Sequence, residues 1–440
     1  MITNLPADPP PSHPPASTFA PQDGGIDPHP EPNPRVELGP HREHAIDALR
    51  GFALLGILIV NSGSFASTYF GLGVFEPAFS RPVDQVVRWL VSFFFETKFY
   101  LLFSLLFGYS FALQMESAQR AGAAFGPRFL RRLLGLLVLG VAHAWLLYAG
   151  DILVTYAVLG LLLLALHKLR PGSAVALALV LLALVSAGWG LIAWGFAQAP
   201  MAEVPLAELQ AKAQLAADAY RASAGDAILQ RGRDMADGVW FVLVFVQGPC
   251  ALAMFLLGLA ARRSGYLAAV AQQPARLVRW MACCLPIGFA GAFVYAWGQS
   301  SGTRQSDHVA AAALAVDLAT SPFLSLGYAA ALLWVLQRGP LGRRLGAALA
   351  PAGRMALSNY LLQSVVGAVV FTAYGFALVG QVSPLVVLLG CVALYAAQLA
   401  LSRWWMAQHA YGPVEWGLRA FTLLRRPAWR RDRLAGDARE

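Results

Sequence analysis

The feature that most constrains the fold is a series of apolar runs, each about twenty residues long, between residues 46 and 405. An α-helix needs a run of this length to cross a bilayer hydrocarbon core ~30 Å thick. The composition agrees, because 58% of the 440 residues are hydrophobic and only 13% are charged, whereas a soluble domain has about 25% charged residues. The sequence therefore predicts an all-α, polytopic transmembrane helical bundle.

The apolar runs predict about ten membrane spans joined by short polar loops. These spans are residues 46–66, 97–115, 129–148, 151–168, 174–198, 239–261, 277–298, 309–336, 355–376 and 383–405. An eleventh segment, 83–95, is shorter and amphipathic. That pattern favours a helix that lies in the membrane interface or dips partway into the membrane.

The distribution of arginine predicts the orientation of these spans. Successive spans place every second connecting segment on the same side of the membrane, and most arginines fall in one of these two sets of segments. The positive-inside rule assigns the arginine-rich side to the cytoplasm. Both chain ends are therefore predicted to be cytoplasmic, which requires an even number of spans. The net charge of +9 would also suit a nucleic-acid surface. The clustering in short loops favours the topological explanation, so we expect no nucleic-acid partner.

The same pattern divides the chain into five predicted regions. Residues 1–40 are rich in proline and form a disordered cytoplasmic tail. The N-terminal membrane region is 41–198, and an outer loop with an amphipathic helix follows at 199–238. This loop either caps a cavity or is a simple connector. The C-terminal membrane region is 239–405, and 406–440 is a basic cytoplasmic tail.

Three polar residues of the first span share one helical stripe. Arg50 and Asn61 are eleven residues apart, which is close to three turns, so both face the same way at a distance of ~16 Å along the axis. Asp47 lies three residues before Arg50 and can pair with it. Asp47 and Arg50 either anchor the helix at the membrane interface or bind a substrate. Asn61 either forms a hydrogen bond between packed helices or contacts a ligand.

A histidine and an aspartate flank the tight turn between the third and fourth spans. His143 lies near the predicted outer end of the third span, and Asp151 follows Gly150 in the turn. Asp151 can cap the next helix. Alternatively, it can meet His143, because a carboxylate that orients an imidazole is the usual arrangement of a general base. His143 itself is either a hydrogen-bonded core residue or a catalytic base.

Two further pairs of polar residues interrupt apolar runs. Glu96 and Lys98 either mark the membrane boundary by snorkelling or line a substrate mouth. Asn359 and Gln363 are four residues apart and share a helix face, where they either contact a ligand or join neighbouring helices. The four cysteines have no pairing or metal-binding spacing, and the sequence has no HExxH or P-loop motif. We therefore expect no metal site.

Five segments together resemble the YeiB-like bacterial membrane proteins, a family whose biochemical function is unassigned. These segments are IDALRGFALLGILIVN, KFYLLFSLLFG, GDILVTYAVLG, GRMALSNYLLQS and YGPVEW. The resemblance covers residues 45–420 and implies a multi-pass protein of the bacterial inner membrane. The first-span pattern is also similar to the transmembrane acyltransferases of the acyltransferase-three and heparan-glucosaminide types.

The similarity to acyltransferases implies transfer of an acyl group from cytoplasmic acyl-CoA to an acceptor, often a glycan, on the far side. In the acyltransferase-three branch an Arg is followed after eleven residues by a functional His. Here Arg50 matches, but Asn61 stands at the later position. The glucosaminide branch also has Asn there and a catalytic His in the next outer loop, and this chain has no His between His44 and His143. His143 or Asp151 would have to act as the base; otherwise the chemistry is absent.

The leading hypothesis is a membrane-bound acyltransferase that uses acyl-CoA as co-substrate and a small-molecule or glycan acceptor. Arg50 would bind acyl-CoA phosphate, Asn61 would orient the thioester or the acceptor, and His143 with Asp151 would deprotonate the acceptor. The rival hypothesis is a transporter or lipid-handling protein whose buried charges bind or couple a solute. A non-catalytic membrane scaffold is the third. The lipid bilayer is a partner in every case, and the oligomeric state stays open.

Overall fold

The computed structural model describes residues 40–72, 74–199, 204–300 and 308–430. The predicted N-terminal tail and the last ten residues of the C-terminal tail lie outside the described residues. Sixteen α-helices fill the described ranges, and the β-structure there is a single isolated bridge between His409 and Arg430. The protein is an all-α helical bundle, as the sequence predicts.

The helices follow one another with short connections. They are α1 (Pro40–Ala66), α2 (Pro82–Phe94), α3 (Lys98–Arg120), α4 (Phe125–Leu146), α5 (Leu153–Leu166), α6 (Pro171–Gln198), α7 (Leu206–Ala222), α8 (Ala224–Asp234), α9 (Gly248–Arg263), α10 (Tyr266–Ala271), α11 (Pro274–Ser300), α12 (His308–Leu336), α13 (Gly339–Arg354), α14 (Ala356–Phe371), α15 (Pro384–Gln408) and α16 (Pro413–Leu423). Proline occupies the first turn of several of them, including α2, α6, α15 and α16. There its missing N–H costs no helical hydrogen bond and its fixed φ suits the helix.

Eight helical segments in the described ranges are long and apolar enough to cross a membrane. Two of the ten predicted spans differ. The segment predicted at 151–168 is α5, whose 14 residues extend only about 21 Å. The segment predicted at 355–376 is α14, the second half of a pair with α13 that bends by 79° at Met355. Hydropathy alone detects neither the shortening nor the bend, because both segments are apolar.

The predicted amphipathic segment 83–95 is α2, and residues 95–97 alone separate it from α3. Thr97 in this break has a φ of 65°, in the left-handed region, which ends the helical hydrogen-bond pattern there. α2 packs against α11 and α15. Its depth in the bilayer stays a prediction.

The helices differ in how much of their surface the bundle covers. In the membrane span that contains α9, 61% of the most apolar 18-residue stretch is buried inside the protein. In α6 the buried share of the corresponding stretch is only 11%. The uncovered residues of α6 are large and apolar, among them Leu184, Leu191 and Trp194. An apolar surface of this extent is stable only against lipid. The structure is therefore that of a multi-pass membrane protein.

Residues 206–234 form a pair of helices, here called the α7–α8 hairpin, within the predicted outer loop. Ser223 caps α8, because its hydroxyl accepts a hydrogen bond from the backbone N–H of Asp226. The hairpin is tied to the end of α1, where the Thr68 hydroxyl donates to the Ala213 carbonyl at 2.8 Å. It also contacts the segment after α14, where the N–H of Ala373 donates to the Tyr220 carbonyl at 2.8 Å. These contacts fit a cap better than a simple connector.

Candidate functional site

The polar stripe of α1 makes contacts at both of its ends. Arg50 Nη1 donates to the Asp47 carboxylate at 2.6 Å, as the three-residue spacing predicts, and Nη2 donates to the Ser110 hydroxyl of α3 at 2.5 Å. The Arg50 side chain keeps 24% of its surface exposed, so the bundle covers it only in part. Three turns further along, Asn61 Oδ1 accepts a 3.5 Å contact from the Tyr148 hydroxyl.

A second arginine joins Arg50 at its end of the bundle. Arg132 of α4 interacts electrostatically with Arg50, Arg419 and Glu415. Its Nε is buried and has no hydrogen-bond partner among the described residues. Two adjacent guanidiniums repel each other unless an anion lies between them. The sequence reveals Arg132 only as one of several basic residues near a loop, so its electrostatic interaction with Arg50 was not predicted.

His143 is the centre of a buried hydrogen-bond chain. Its Nδ1 lies 2.8 Å from Asp151 Oδ1, and its Nε2 lies 2.8 Å from the Ser364 hydroxyl of α14. In the neutral imidazole the carboxylate favours a proton on Nδ1, which leaves Nε2 free to accept from the serine hydroxyl. Both predicted contacts of Asp151 occur together, because its Oδ2 also accepts from the N–H of Val154 at 2.7 Å and caps α5, whereas its role beside a general base stays a prediction.

Aromatic side chains connect this chain to Asn61. The His143 ring lies 5.0 Å from the Tyr360 ring and 6.2 Å from the Tyr148 ring. Tyr148 stacks on Phe65, and its hydroxyl also accepts from the Ser64 hydroxyl at 2.8 Å. The structure therefore gathers three of the predicted residues, Asn61, His143 and Asp151, around Tyr148. The remaining predicted residues lie elsewhere.

Lys98 and Glu96 belong to a buried charge cluster rather than to a membrane boundary. Lys98 and Asp317 of α12 are both fully buried, and Nζ lies 3.1 Å from Asp317 Oδ1. Thr97 and Ser321 donate to the same carboxylate at 2.6 and 2.8 Å. A fully buried ammonium does not snorkel, so the boundary interpretation of Lys98 is wrong. Asp317 was not predicted as a site residue, although a lone carboxylate within the apolar run 309–336 indicates a buried polar contact.

Glu96 lies beside the same cluster. Its carboxyl group interacts electrostatically with Lys98 and Asp317 and lies near Ser92 and Tyr295. Two carboxyl groups thus lie near one ammonium at the break between α2 and α3, and Asp317 is the one at ion-pair distance. The cluster joins that break to α12, and a ligand-binding role for Glu96 and Lys98 stays a prediction.

Asn359 and Gln363 face α15, where each has a polar partner. Asn359 Nδ2 donates to the Ser402 hydroxyl at 2.9 Å, and Gln363 Nε2 donates to Gln398 Oε1 at 2.9 Å. Both side chains are buried. These contacts fit the alternative in which the two amides join helices. Contact with a ligand stays a prediction for this pair.

Glu415 holds the bend between α13 and α14. Its Oε1 accepts from the backbone N–H groups of Leu357 and Ser358 at 2.7 and 3.0 Å, and its Oε2 accepts from the Ser358 hydroxyl at 2.5 Å. A carboxylate on the first N–H groups of a helix satisfies unpaired donors and complements the helix dipole. The segment YGPVEW therefore fixes the start of the helix that carries Ser364.

We expect Glu415→Ala to lower the free energy of unfolding by about 1–2 kcal/mol, because two backbone N–H groups and one hydroxyl lose their acceptor. Thermal unfolding in detergent measures the loss. Glu208→Ala, on an exposed position of α7, is the control and should leave the midpoint unchanged. Equal midpoints for both variants would contradict the capping role.

No group of three or more His, Cys, Asp or Glu side chains within the described ranges is arranged to hold a metal ion. The candidate groups are the hydrogen-bonded side chains around His143 and the arginines Arg50 and Arg132. In sequence these residues are spread over α1, α4 and α14, and the bundle brings their elements together.

Comparisons with known proteins identify the family. The chain is 32% identical over 397 residues to the uncharacterized protein YxaH of Bacillus subtilis (strain 168), and this match covers 86% of the chain and 94% of that protein. It is 30% identical over 395 residues to the uncharacterized protein YeiB of Escherichia coli (strain K12), covering 87% and 96%. The chain belongs to the YeiB-like family. Residues 261–425 of this YeiB-like protein match the family described as DUF418, a protein of unknown function.

A third relative is the uncharacterized 39.9 kDa protein in the amylase 3' region of Bacillus acidopullulyticus, which is 30% identical over 381 residues and covers 87% of the chain and 94% of that protein. No solved structure matches the chain significantly. The YeiB-like protein thus shares more than four fifths of its length with bacterial relatives, and the resemblance to YeiB-like proteins is confirmed.

Proposed function

We propose that this YeiB-like protein is a membrane-embedded acyltransferase that moves an acyl group from acyl-CoA to an acceptor hydroxyl or amine. The observation that carries the proposal is the hydrogen-bond chain from Asp151 through His143 to the Ser364 hydroxyl, with 2.8 Å on each side of the imidazole. A neutral imidazole held by a carboxylate, with its second nitrogen on a hydroxyl, is the arrangement that removes a proton from an attacking oxygen.

In the proposed reaction the acceptor displaces the Ser364 hydroxyl from His143 Nε2. The acceptor oxygen or nitrogen attacks the thioester carbon while Nε2 takes its proton, and Asp151 stabilises the imidazolium that forms. The new bond to carbon forms, the carbon–sulfur bond breaks, and the proton on Nε2 passes to the departing thiolate. Tyr148, which contacts Asn61, is the nearby hydroxyl that can donate to the developing oxyanion.

The arginines at the other end of α1 suit the donor. Arg50 and Arg132 provide two adjacent guanidiniums, one of them with a buried unpartnered Nε. Guanidinium is the side-chain group best matched to phosphate oxygens. The stripe from Arg50 to Asn61 covers ~16 Å, a distance that an extended pantetheine arm can bridge. The proposal requires the Arg50 end to face the cytoplasm of a bacterium, with both chain ends inside and the acceptor reaching His143 from outside.

Transport is the second candidate function, and one observation favours it. Glu96, Lys98 and Asp317 form a buried charge cluster beside a broken helix, and α13 and α14 form a second broken pair. Broken spans with buried charges are typical of ion-coupled transporters. Solute flux in proteoliposomes without acyl-CoA would support transport and would contradict acyl transfer as the primary activity.

The acyltransferase proposal predicts that Arg50→Ala raises the KM for acyl-CoA by ~10-fold or more, since a charge-assisted hydrogen bond contributes ~1.5–3 kcal/mol. Purified protein is incubated with labelled acetyl-CoA, and binding, hydrolysis and transfer are measured. Arg120→Ala, at an exposed position on α3, is the control and should keep the native KM. Absence of both turnover and binding in the native protein overturns the proposal.

A further inference from the structure

The α7–α8 hairpin contains a buried arginine that forms no ion pair with an acidic side chain in the described ranges. Arg231 of α8 keeps only 2% of its surface exposed. Its Nη1 donates to the Tyr374 hydroxyl at 3.2 Å, whereas its Nη2 is buried and has no hydrogen-bond partner among the described residues. The guanidinium lies 5.6 Å from the centre of the Tyr220 ring and 5.0 Å from that of the Tyr374 ring.

The nearest carboxylate on the same helix does not neutralise Arg231. Both oxygens of Asp234 are engaged, one with the Tyr220 hydroxyl at 2.5 Å and the other with Gln230 Nε2 at 2.7 Å. Burial also raises the pKa of Asp234, which disfavours its charged form. A buried guanidinium is costly unless an anion compensates it. The two rings offset part of this cost by cation–π attraction, but they leave Nη2 without an acceptor.

The position of Arg231 places it at the His143 end of the bundle. Tyr220 flanks Arg231, and helix α8, which carries Arg231, packs against α4, the helix that carries His143. Tyr148 contacts Asn61 and lies 6.2 Å from the His143 ring. The hairpin thus brings one cation to the same end of α1 as the proposed general base, which is the end that the acceptor must approach.

We propose that Arg231 binds an anionic oxygen group, a phosphate or a carboxylate, of the acceptor. Nη2 and the Tyr374 hydroxyl donate to this group, and Tyr220 closes the opposite side. The anion supplies the acceptor that Nη2 lacks. The assignment of this anion to the acyl acceptor rests on the proposed function. The binding of an anion by Arg231 is independent of that function. The acceptor class is therefore a sugar, polyol or lipid headgroup that carries both a nucleophilic hydroxyl or amine and an acidic group.

The test measures anion binding without acyl-CoA, so its failure is separate from failure of acyl transfer. Full-length protein in phosphatidylcholine nanodiscs is titrated by calorimetry with glycerol 3-phosphate, inorganic phosphate and glucuronate. A parallel set of nanodiscs contains phosphatidylglycerol, which distinguishes a lipid headgroup from a soluble anion. We expect saturable binding of at least one probe, or in the parallel set a rise of the native midpoint of thermal unfolding that depends on phosphatidylglycerol.

Arg231→Gln should weaken that binding by ~10-fold or more and remove the rise in midpoint. Arg233→Gln is the matched control, because Arg233 lies two residues further along α8 at an exposed position. Arg231→Lys keeps the charge and should retain part of the affinity, which separates loss of charge from misfolding. The proposal is overturned if the native protein responds to none of the anions, or if Arg231→Gln and Arg233→Gln bind them equally.

Discussion

Replacing Asp317 with alanine should lower the free energy of unfolding by ~3–5 kcal/mol, because Lys98 would be left as an unpaired charge in the protein interior. Both side chains are fully buried, and Asp317 also accepts from Thr97 and Ser321. The loss should appear as a lower midpoint of unfolding in bicelles. It should appear in the absence of any substrate, because the cluster joins the break between α2 and α3 to α12.

An exposed ion pair provides the matched control for this prediction. Lys212 and Asp237 lie 2.9 Å apart, but more than half of each side chain is exposed, so Asp237→Ala should cost less than about 1 kcal/mol. The double variant Lys98→Met, Asp317→Leu removes both charges and should recover most of the stability lost in Asp317→Ala. If Asp317→Ala costs no more than Asp237→Ala, the cluster does not hold the break between α2 and α3 to α12.

Replacing His143 with glutamine should lower kcat for acyl transfer by about 10²–10⁴-fold, which is the range expected for loss of a general base. Glutamine keeps polar atoms near Asp151 and Ser364 but cannot take a proton from the acceptor. Asp151→Asn should give a loss of similar size, because an amide can donate to Nδ1 and so stabilise the wrong imidazole tautomer.

The KM for acyl-CoA should change little in His143→Gln, since Arg50 and Arg132 lie at the other end of α1. His167→Gln, at the end of α5, serves as the control and should keep native kcat. Native turnover in His143→Gln would remove His143 from the mechanism. A parallel loss in His167→Gln would show that the substitutions act through folding.

Interactions that are local in sequence were predictable. Asp47 and Arg50 are three residues apart on one helix, so their ion pair follows from the helical period. His143 and Asp151 are eight residues apart, and the tight turn between α4 and α5 brings their side chains together. The spans themselves follow from their apolar length, although the short α5 and the 79° bend at Met355 do not.

Interactions between distant segments were not predictable, because nothing in one sequence reports which helices become neighbours. Ser364 lies 221 residues from His143, and Asp317 lies 219 residues from Lys98. Ser364 has no distinguishing sequence feature, and the lone carboxylate of Asp317 in an apolar run does not show which helix supplies its partner. The basic residue Arg132 was explained by topology alone, and no local pattern marks Glu415 as the cap of α14.

Release of free CoA from acetyl-CoA by purified protein in nanodiscs tests the central claim most directly, since hydrolysis to water needs the donor and the base but no identified acceptor. We expect the native protein to release CoA above the rate of empty nanodiscs, and His143→Gln to fall to that background while still binding acetyl-CoA through Arg50. Equal release by both proteins, or neither binding nor release by a native protein that unfolds cooperatively, would contradict acyl transfer at His143.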